Sequence, residues 1–234
     1  PRIIANLQSS LDMDVMTCTG KTMKDNIAEF RFRFPEDTSV IRGTADPFEL
    51  EGGLAVIRGN LAPKTGISKP AAIDPSVRKF TGTAVVFDSE EEANNAILDG
   101  RVTAGNVVVI RYEGPKGGPG MVEMYRALKY LHGLGLHKST AVVTDGRFSG
   151  TNNGCFVGHI SPEAYEGGPI AIVENGDEIN IDVSAGTIHL NLTESQIRER
   201  LEKWRKPDLK VNRGYLSLYS KLASSADEGA IIKR

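Results

Sequence analysis

The sequence predicts a mixed, β-rich α/β fold, and three observations carry that expectation. From Gly52 onward, short apolar and β-branched runs recur, each bounded by glycine, proline or asparagine turns. Only three stretches in that region combine a helical period with start signals, and two of them lie between strands. The runs are spaced too irregularly for a repeat array. A β-rich barrel or sandwich follows, in preference to a doubly wound sheet.

The elements follow in chain order. Residues 1–45 are irregular and charged, with Lys21, Lys24, Asp25, Glu29, Arg31, Arg33, Glu36 and Asp37. They read as a connecting arm with one short helix at 22–29, and an arm at the start suits a fragment of something longer. Strands are expected at 54–57, 80–87, 107–112, 139–144, 170–173, 179–183 and 187–192. Gly176-Asp177 and Ala185-Gly186 mark tight turns among the last of these, as in a hairpin meander. The first body helix starts at Ser89, where Ser89-Glu90-Glu91-Glu92 has the form of a capping box, and stops near Gly100. The second runs from Gly120 to Leu131, with Met121, Met124, Leu128 and Leu131 at helical spacing. The third starts at Thr193, with Gln196 completing a box, and ends before Pro207. The stretch 214–232 carries Tyr215, Leu216, Leu218, Tyr219 and Leu222, an amphipathic tail that docks on the body or on a partner chain.

Bulk properties narrow the function classes. With 234 residues, the chain is long enough to bury a full core. A net charge of −2 gives no electrostatic ground for binding nucleic acid or an anionic membrane. No apolar run approaches the roughly 20 residues that span a bilayer. Pro1-Arg2-Ile3-Ile4 lacks the layout of a signal peptide. Two cysteines, Cys18 and Cys155, make neither a disulfide framework nor a zinc site. A reduced, cytoplasmic protein is expected.

Two glycine-rich turns concentrate the chemistry. Asp145-Gly146-Arg147-Phe148-Ser149-Gly150 follows the apolar run Ala141-Val142-Val143 and sets a hydroxyl among glycines, where backbone bends sharply or a ligand approaches closely. Gly114-Pro115-Lys116-Gly117-Gly118-Pro119-Gly120 opens onto Met121-Val122-Glu123-Met124. One turn offers a serine and the other a carboxylate, which points to a small-molecule site. Ser149 departs from the hydrolase elbow, which wants glycine two positions either side, where Arg147 and Thr151 stand. Glu123, expected in the first turn of the second helix, reads either as compensation of the helix dipole or as a Mg²⁺ ligand. Thr19-Gly20-Lys21-Thr22 fails as a phosphate loop because Val15 replaces the glycine that the full motif requires. His159 reads as a buried, hydrogen-bonded histidine, Cys155 as an inert core thiol, and Asn60 as a turn former.

Taken in order, several runs resemble the dihydroxy-acid dehydratase and phosphogluconate dehydratase family. They are Met16-Thr17-Cys18-Thr19-Gly20-Lys21-Thr22, Gly52-Gly53-Leu54-Ala55-Val56, Gly59-Asn60-Leu61-Ala62-Pro63 and Phe87-Asp88-Ser89-Glu90-Glu91-Glu92-Ala93. Further on come Tyr112-Glu113-Gly114-Pro115 through Glu123-Met124, Thr144 through Gly150, and Gly158-His159-Ile160-Ser161-Pro162-Glu163-Ala164. The resemblance is to the C-terminal portion of that family. It implies a swivelling β/β/α barrel with flanking helices at 46–206, following the arm at 1–45, with a docking tail at 207–234. It also implies loss of water from a 2,3-dihydroxy carboxylate to give a 2-keto acid, in branched-chain amino-acid biosynthesis.

By the same resemblance Ser149 matches the base, acting as an alkoxide, and Glu123 matches a ligand of Mg²⁺, which chelates the substrate carboxylate and C2 oxygen. An iron–sulfur cluster, two-iron or four-iron, would act on the departing C3 hydroxyl and be held by the protein's own N-terminal domain. A homodimer is implied as well. Arg147, Gly150 and Thr151 are expected near substrate. Thr151-Asn152-Asn153 depart from the family's usual continuation, which leaves a sugar acid (an aldonate or phosphogluconate) as the alternative substrate. The closing run Tyr215-Leu216 through Ser225-Ala226 resembles the dihydroxy-acid side of the family. For the chain in isolation, anion binding without chemistry and a role in assembly are the other readings.

Overall fold

The computed structural model describes residues 1–50, 52–149 and 153–232. The chain divides into two compact units, Pro1–Gly52 and Gly53–Arg234. The first holds two short helices, α1 (Arg2–Asn6) and α2 (Met23–Glu29). Thr22 caps α2, its hydroxyl accepting from the Asp25 amide at 3.1 Å. None of this unit's described residues is buried.

The second unit is built on one eight-stranded sheet: β1 (Ala55–Ile57), β2 (Thr65–Ser68), β3 (Lys79–Phe87), β4 (Asn106–Ile110), β5 (Ala141–Thr144), β6 (Cys155–Ser161), β7 (Glu178–Asp182) and β8 (Thr187–Leu190). Their order in space is β1-β2-β6-β5-β4-β3-β7-β8. The middle of the sheet, β3-β4-β5-β6, is parallel, and the flanking pairs are antiparallel. Parallel strands are covered on both faces, which is why Val107–Ile110 and Ala141–Thr144 read as unbroken apolar runs and are buried throughout.

The two edge strands meet through a short seam that nearly closes the sheet into a barrel. The Arg58 amide donates to Gly186 O at 2.9 Å, and the Ile188 amide donates to Arg58 O at 3.0 Å. Asn60 extends the seam with its side chain. Its Oδ1 accepts from the Leu190 amide at 2.7 Å and its Nδ2 donates to Leu190 O at 2.8 Å. The expected turn former is thus a mimic of a strand partner.

Helices α3 (Glu90–Leu98) and α4 (Tyr125–Gly133) lie in the parallel crossovers, and α5 (Glu194–Lys203) and α6 (Gly214–Leu222) follow the last strand. Thr193 and Gln196 form the full capping box of α5. At α3 only half of the expected box forms. Ser89 Oγ accepts from the Glu92 amide, but the Glu92 carboxylate accepts from Asp88 instead of Ser89. The tail lies on the barrel: Ser220 Oγ donates to Lys116 O at 2.6 Å, Ser161 Oγ donates to Asp227, and Lys64 pairs with Asp227 at 3.4 Å.

Two expected elements are corrected. The apolar run 170–173 is no strand, but a buried 3-10 turn, Pro169–Ile172. Pro169 starts it, and guanidinium groups take its carbonyls: Arg111 donates to Ala171 O and Val173 O, and Arg200 to Ile172 O. The second body helix begins at Tyr125, not Gly120, because Gly120 and Met121 have φ of 95° and 45°. Strands β2 and β6 carry no sequence expectation, since glycine interrupts both.

Candidate active site

Both glycine-rich turns leave the same edge of the barrel, the carboxyl ends of β4 and β5, where open parallel sheets commonly bind ligands. Two buried carboxylates hold the turns: Asp145 ties the serine turn to the turn after β4, and Glu163 ties that turn to the segment after β6. Asp145, the first residue after β5, accepts from the amides of Tyr112 at 3.1 Å, Glu113 at 3.0 Å and Ala164 at 2.8 Å. Burial pushes its carboxyl up to about 6, against the pull of those three donors. Glu163 accepts from the Lys116 amide at 3.0 Å and the Gly117 amide at 2.8 Å, and burial pushes it up to about 7.

The glycines serve close approach between protein segments. A Cβ on Gly146 would lie 2.4 Å from Met124 Cε, and one on Gly114 would lie 2.5 Å from Glu163 Oε2.

Glu123 does not sit in a helix. It pairs with Arg147 as an isolated parallel bridge, the Met124 amide donating to Arg147 O at 2.9 Å. It thus lies just ahead of α4, whose cap is Met124, and not in the helix's first turn. The bridge brings an exposed carboxylate alongside the loop that carries Ser149, which is half-buried. Arg147 Nε donates to Met121 O, linking the two turns again. Gly150 and Thr151 lie outside the described residues.

Lys69, which no motif singles out, follows β2 and reaches the same loop. Its ammonium donates to Phe148 O at 3.2 Å and Ser149 O at 3.4 Å. His159 is half-buried on β6 with φ of 53°, and its amide donates to Gly146 O at 2.7 Å. Burial, then the charges of Arg147 and Lys69, hold its imidazole below the usual value, which favours the neutral form. Asp145 and Glu163 stand inside the motifs, but nothing in sequence separates a buried N–H acceptor from a surface acid. Lys69 carries no sequence signal at all, since its relation to Ser149 spans 80 positions.

No group of three or more potential ligands that could hold a metal occurs among the described residues. Glu123 is open to an incoming cation, which takes its remaining ligands from elsewhere or from water. The cysteines do not fit an iron–sulfur cluster: Cys18 is exposed and single, while Cys155 is a core thiol that burial pushes up to about 12. No helix among the described residues is long and apolar enough to cross a membrane.

Comparison with known proteins gives the family. A family model described as the dihydroxy-acid/6-phosphogluconate dehydratase C-terminal domain matches residues 39–230. A dihydroxy-acid dehydratase of Acetivibrio thermocellus is 48% identical over 223 residues, 95% of this chain and 40% of that protein. One of Methanococcus aeolicus is 47% identical over 233 residues, 100% of this chain and 42% of that protein. One of Desulfosudis oleivorans is 48% identical over 231 residues, 99% of this chain and 41% of that protein. The chain thus spans about two-fifths of the length of the curated relatives it matches. It belongs to the dihydroxy-acid/6-phosphogluconate dehydratase family and carries that family's C-terminal domain.

Proposed function

We propose that this chain is the C-terminal part of a dihydroxy-acid dehydratase, in which Ser149 takes the proton from C2 of a 2,3-dihydroxy carboxylate. The observation that carries the reading is the Glu123–Arg147 bridge, which sets a carboxylate and a serine loop side by side at the carboxyl edge of parallel strands. The relatives' shared name supplies the reaction class. Elimination breaks the C2–H and C3–O bonds, forms a C2=C3 double bond, and releases water; tautomerisation of the enol then gives the 2-keto acid.

An unassisted hydroxyl is a poor base near pH 7, so Ser149 needs cationic surroundings. Arg147, two positions away, contributes one such charge and suits a substrate carboxylate. Glu123 would hold a magnesium ion, whose charge, when bound, stabilises negative charge on the substrate carboxylate and C2 oxygen. An iron–sulfur cluster would be held outside this chain, in the enzyme's own N-terminal domain. The buried acids Asp145 and Glu163 keep both loops fixed, so that base and cation ligand meet the substrate in one geometry.

The test is 2-keto acid formation by the full-length enzyme, reconstituted anaerobically with iron, sulfide and Mg²⁺, on dihydroxyisovalerate and on an aldonate. Ser149→Ala should lower kcat by about 10²–10⁴-fold, the usual worth of a general base. Activity that survives that change overturns the assignment of the base, and preference for the aldonate overturns the substrate. Glu123→Gln should raise the Mg²⁺ concentration for half-maximal activity by at least about tenfold, since even indirect support of a metal ligand is worth that much.

A further inference from the structure

We infer that Lys69 is a positioning residue for this reaction: its ammonium clamps the Phe148 and Ser149 carbonyls, fixes the serine loop, and favours the ionised form of the Ser149 hydroxyl. The inference rests on the reading of Ser149 as base, and deepens it.

The clamp has built supports on both sides. Ser68, the preceding residue, is buried and donates to Phe156 O at 2.7 Å, so the stem of Lys69 starts from a point fixed to β6. Phe148 is held edge-on against Phe156, ring centres 5.3 Å apart, and a Cβ on Gly158 would come within 3.1 Å of it. Between these anchors the loop backbone faces the ammonium. Lys69 forms no ion pair with a carboxylate among the described residues, so its charge is directed at the loop. A cation held against carbonyl oxygens in a partly buried setting costs desolvation, and a structural tether would be served as well by a neutral donor. The charge is the part that a neutral donor could not replace.

The charged and titratable groups around the loop include Lys69 from the end of β2, Arg147 and Asp145 on the loop itself, Glu113 packed against Gly146, His159 from β6 and Glu123 across the bridge. Burial favours the neutral form of His159, so Lys69 and Arg147 are the cations nearest to offset a developing alkoxide. A charge within about 4–6 Å moves an ionisation by roughly 1–3 pKa units.

The test reads the field directly. In this chain carrying Cys18→Ser, the substitution Ser149→Cys introduces one titratable thiol, while Cys155 stays silent because burial pushes it up to about 12. Thiolate absorbance against pH gives the thiol's pKa. Adding Lys69→Met should raise it by about one unit or more, and Lys69→Arg should bring it back. Lys69→Gln retains a donor without the charge, and serves if the methionine variant fails to fold. An unchanged pKa in the folded neutral variant overturns the inference.

In the reconstituted full-length enzyme, Lys69→Met should lower kcat about tenfold or more with KM within about twofold, and move the pH profile of kcat upward. Loss confined to KM also overturns the inference. Activity that persists in Ser149→Ala overturns the base assignment but leaves the thiol result standing, so the two ideas fail separately.

Discussion

Asp145 and Glu163 show how single buried acids can organise a site that they need not touch. Each gathers backbone N–H groups from the Tyr112–Gly117 turn, and Asp145 adds the Ala164 amide. Asp145→Asn turns one acceptor into a donor facing an N–H. It should cost about 1–3 kcal/mol in urea unfolding, the usual cost of an orphaned buried donor. Glu163 makes a pH prediction. Its folded-state value, about 7, lies above the ordinary carboxylate value, so the folded chain holds the proton more tightly than the unfolded one. Its stabilising contribution is full below about pH 4.5 and is lost as pH rises through about 7, on the order of 3 kcal/mol. Glu163→Gln keeps an oxygen for the Lys116 and Gly117 amides, and should flatten the fall in stability between pH 5 and pH 8. A profile as steep as that of the parent would refute this. Glycine-rich turns drew attention to Ser149 and Glu123 as candidates, with their roles implied by the family resemblance, but a burial-dependent role like that of Asp145 is invisible until the barrel closes around it.

At the scale of elements, legibility followed local chemistry. Thr193 and Gln196 were readable because a capping box is complete within four residues, and Thr193→Ala should cost about 1 kcal/mol by thermal or urea unfolding. Strands β4 and β5 were readable because burial on both faces leaves apolar runs. The run 170–173 has the same composition, yet two arginines distant in sequence satisfy its carbonyls and no ladder is needed. Likewise the start of α4 depends on Arg147, which takes the Met124 amide into a bridge 23 positions away in the chain. Strand β6 was hidden by Gly158, which interrupts its apolar run, and by His159, whose φ of 53° suits a bulge better than a ladder. Such long-range partners are the information that a single sequence does not display.

Across the whole molecule, the two units differ in what holds them. Gly53–Arg234 has a continuous core from Ile57 to Leu190, whereas no described residue of Pro1–Gly52 is buried and several of its large apolar side chains, among them Phe34, Val40 and Leu50, are exposed. Limited proteolysis should therefore digest the first unit and leave a protected fragment beginning near Gly53; resistance across residues 30–52 would contradict this. The mixed β-rich class was legible from the sequence, but the parallel order at its centre was not. Parallel pairing joins segments separated by crossovers, so no hairpin turn announces it.

The barrel has one seam, held by the Arg58 bridge and the Asn60 amide in place of a full ladder. In the sheet order β1-β2-β6-β5-β4-β3-β7-β8, the strands that carry the serine loop and its acidic partners lie in the middle, as far from that seam as the sheet allows. Breathing motions begin where bonds are fewest, so amide exchange should be faster at Leu190 than at Val142. The weakest line of the wall thus lies away from the strands that carry the candidate site. The rim can fray and reseal while the serine loop holds its shape.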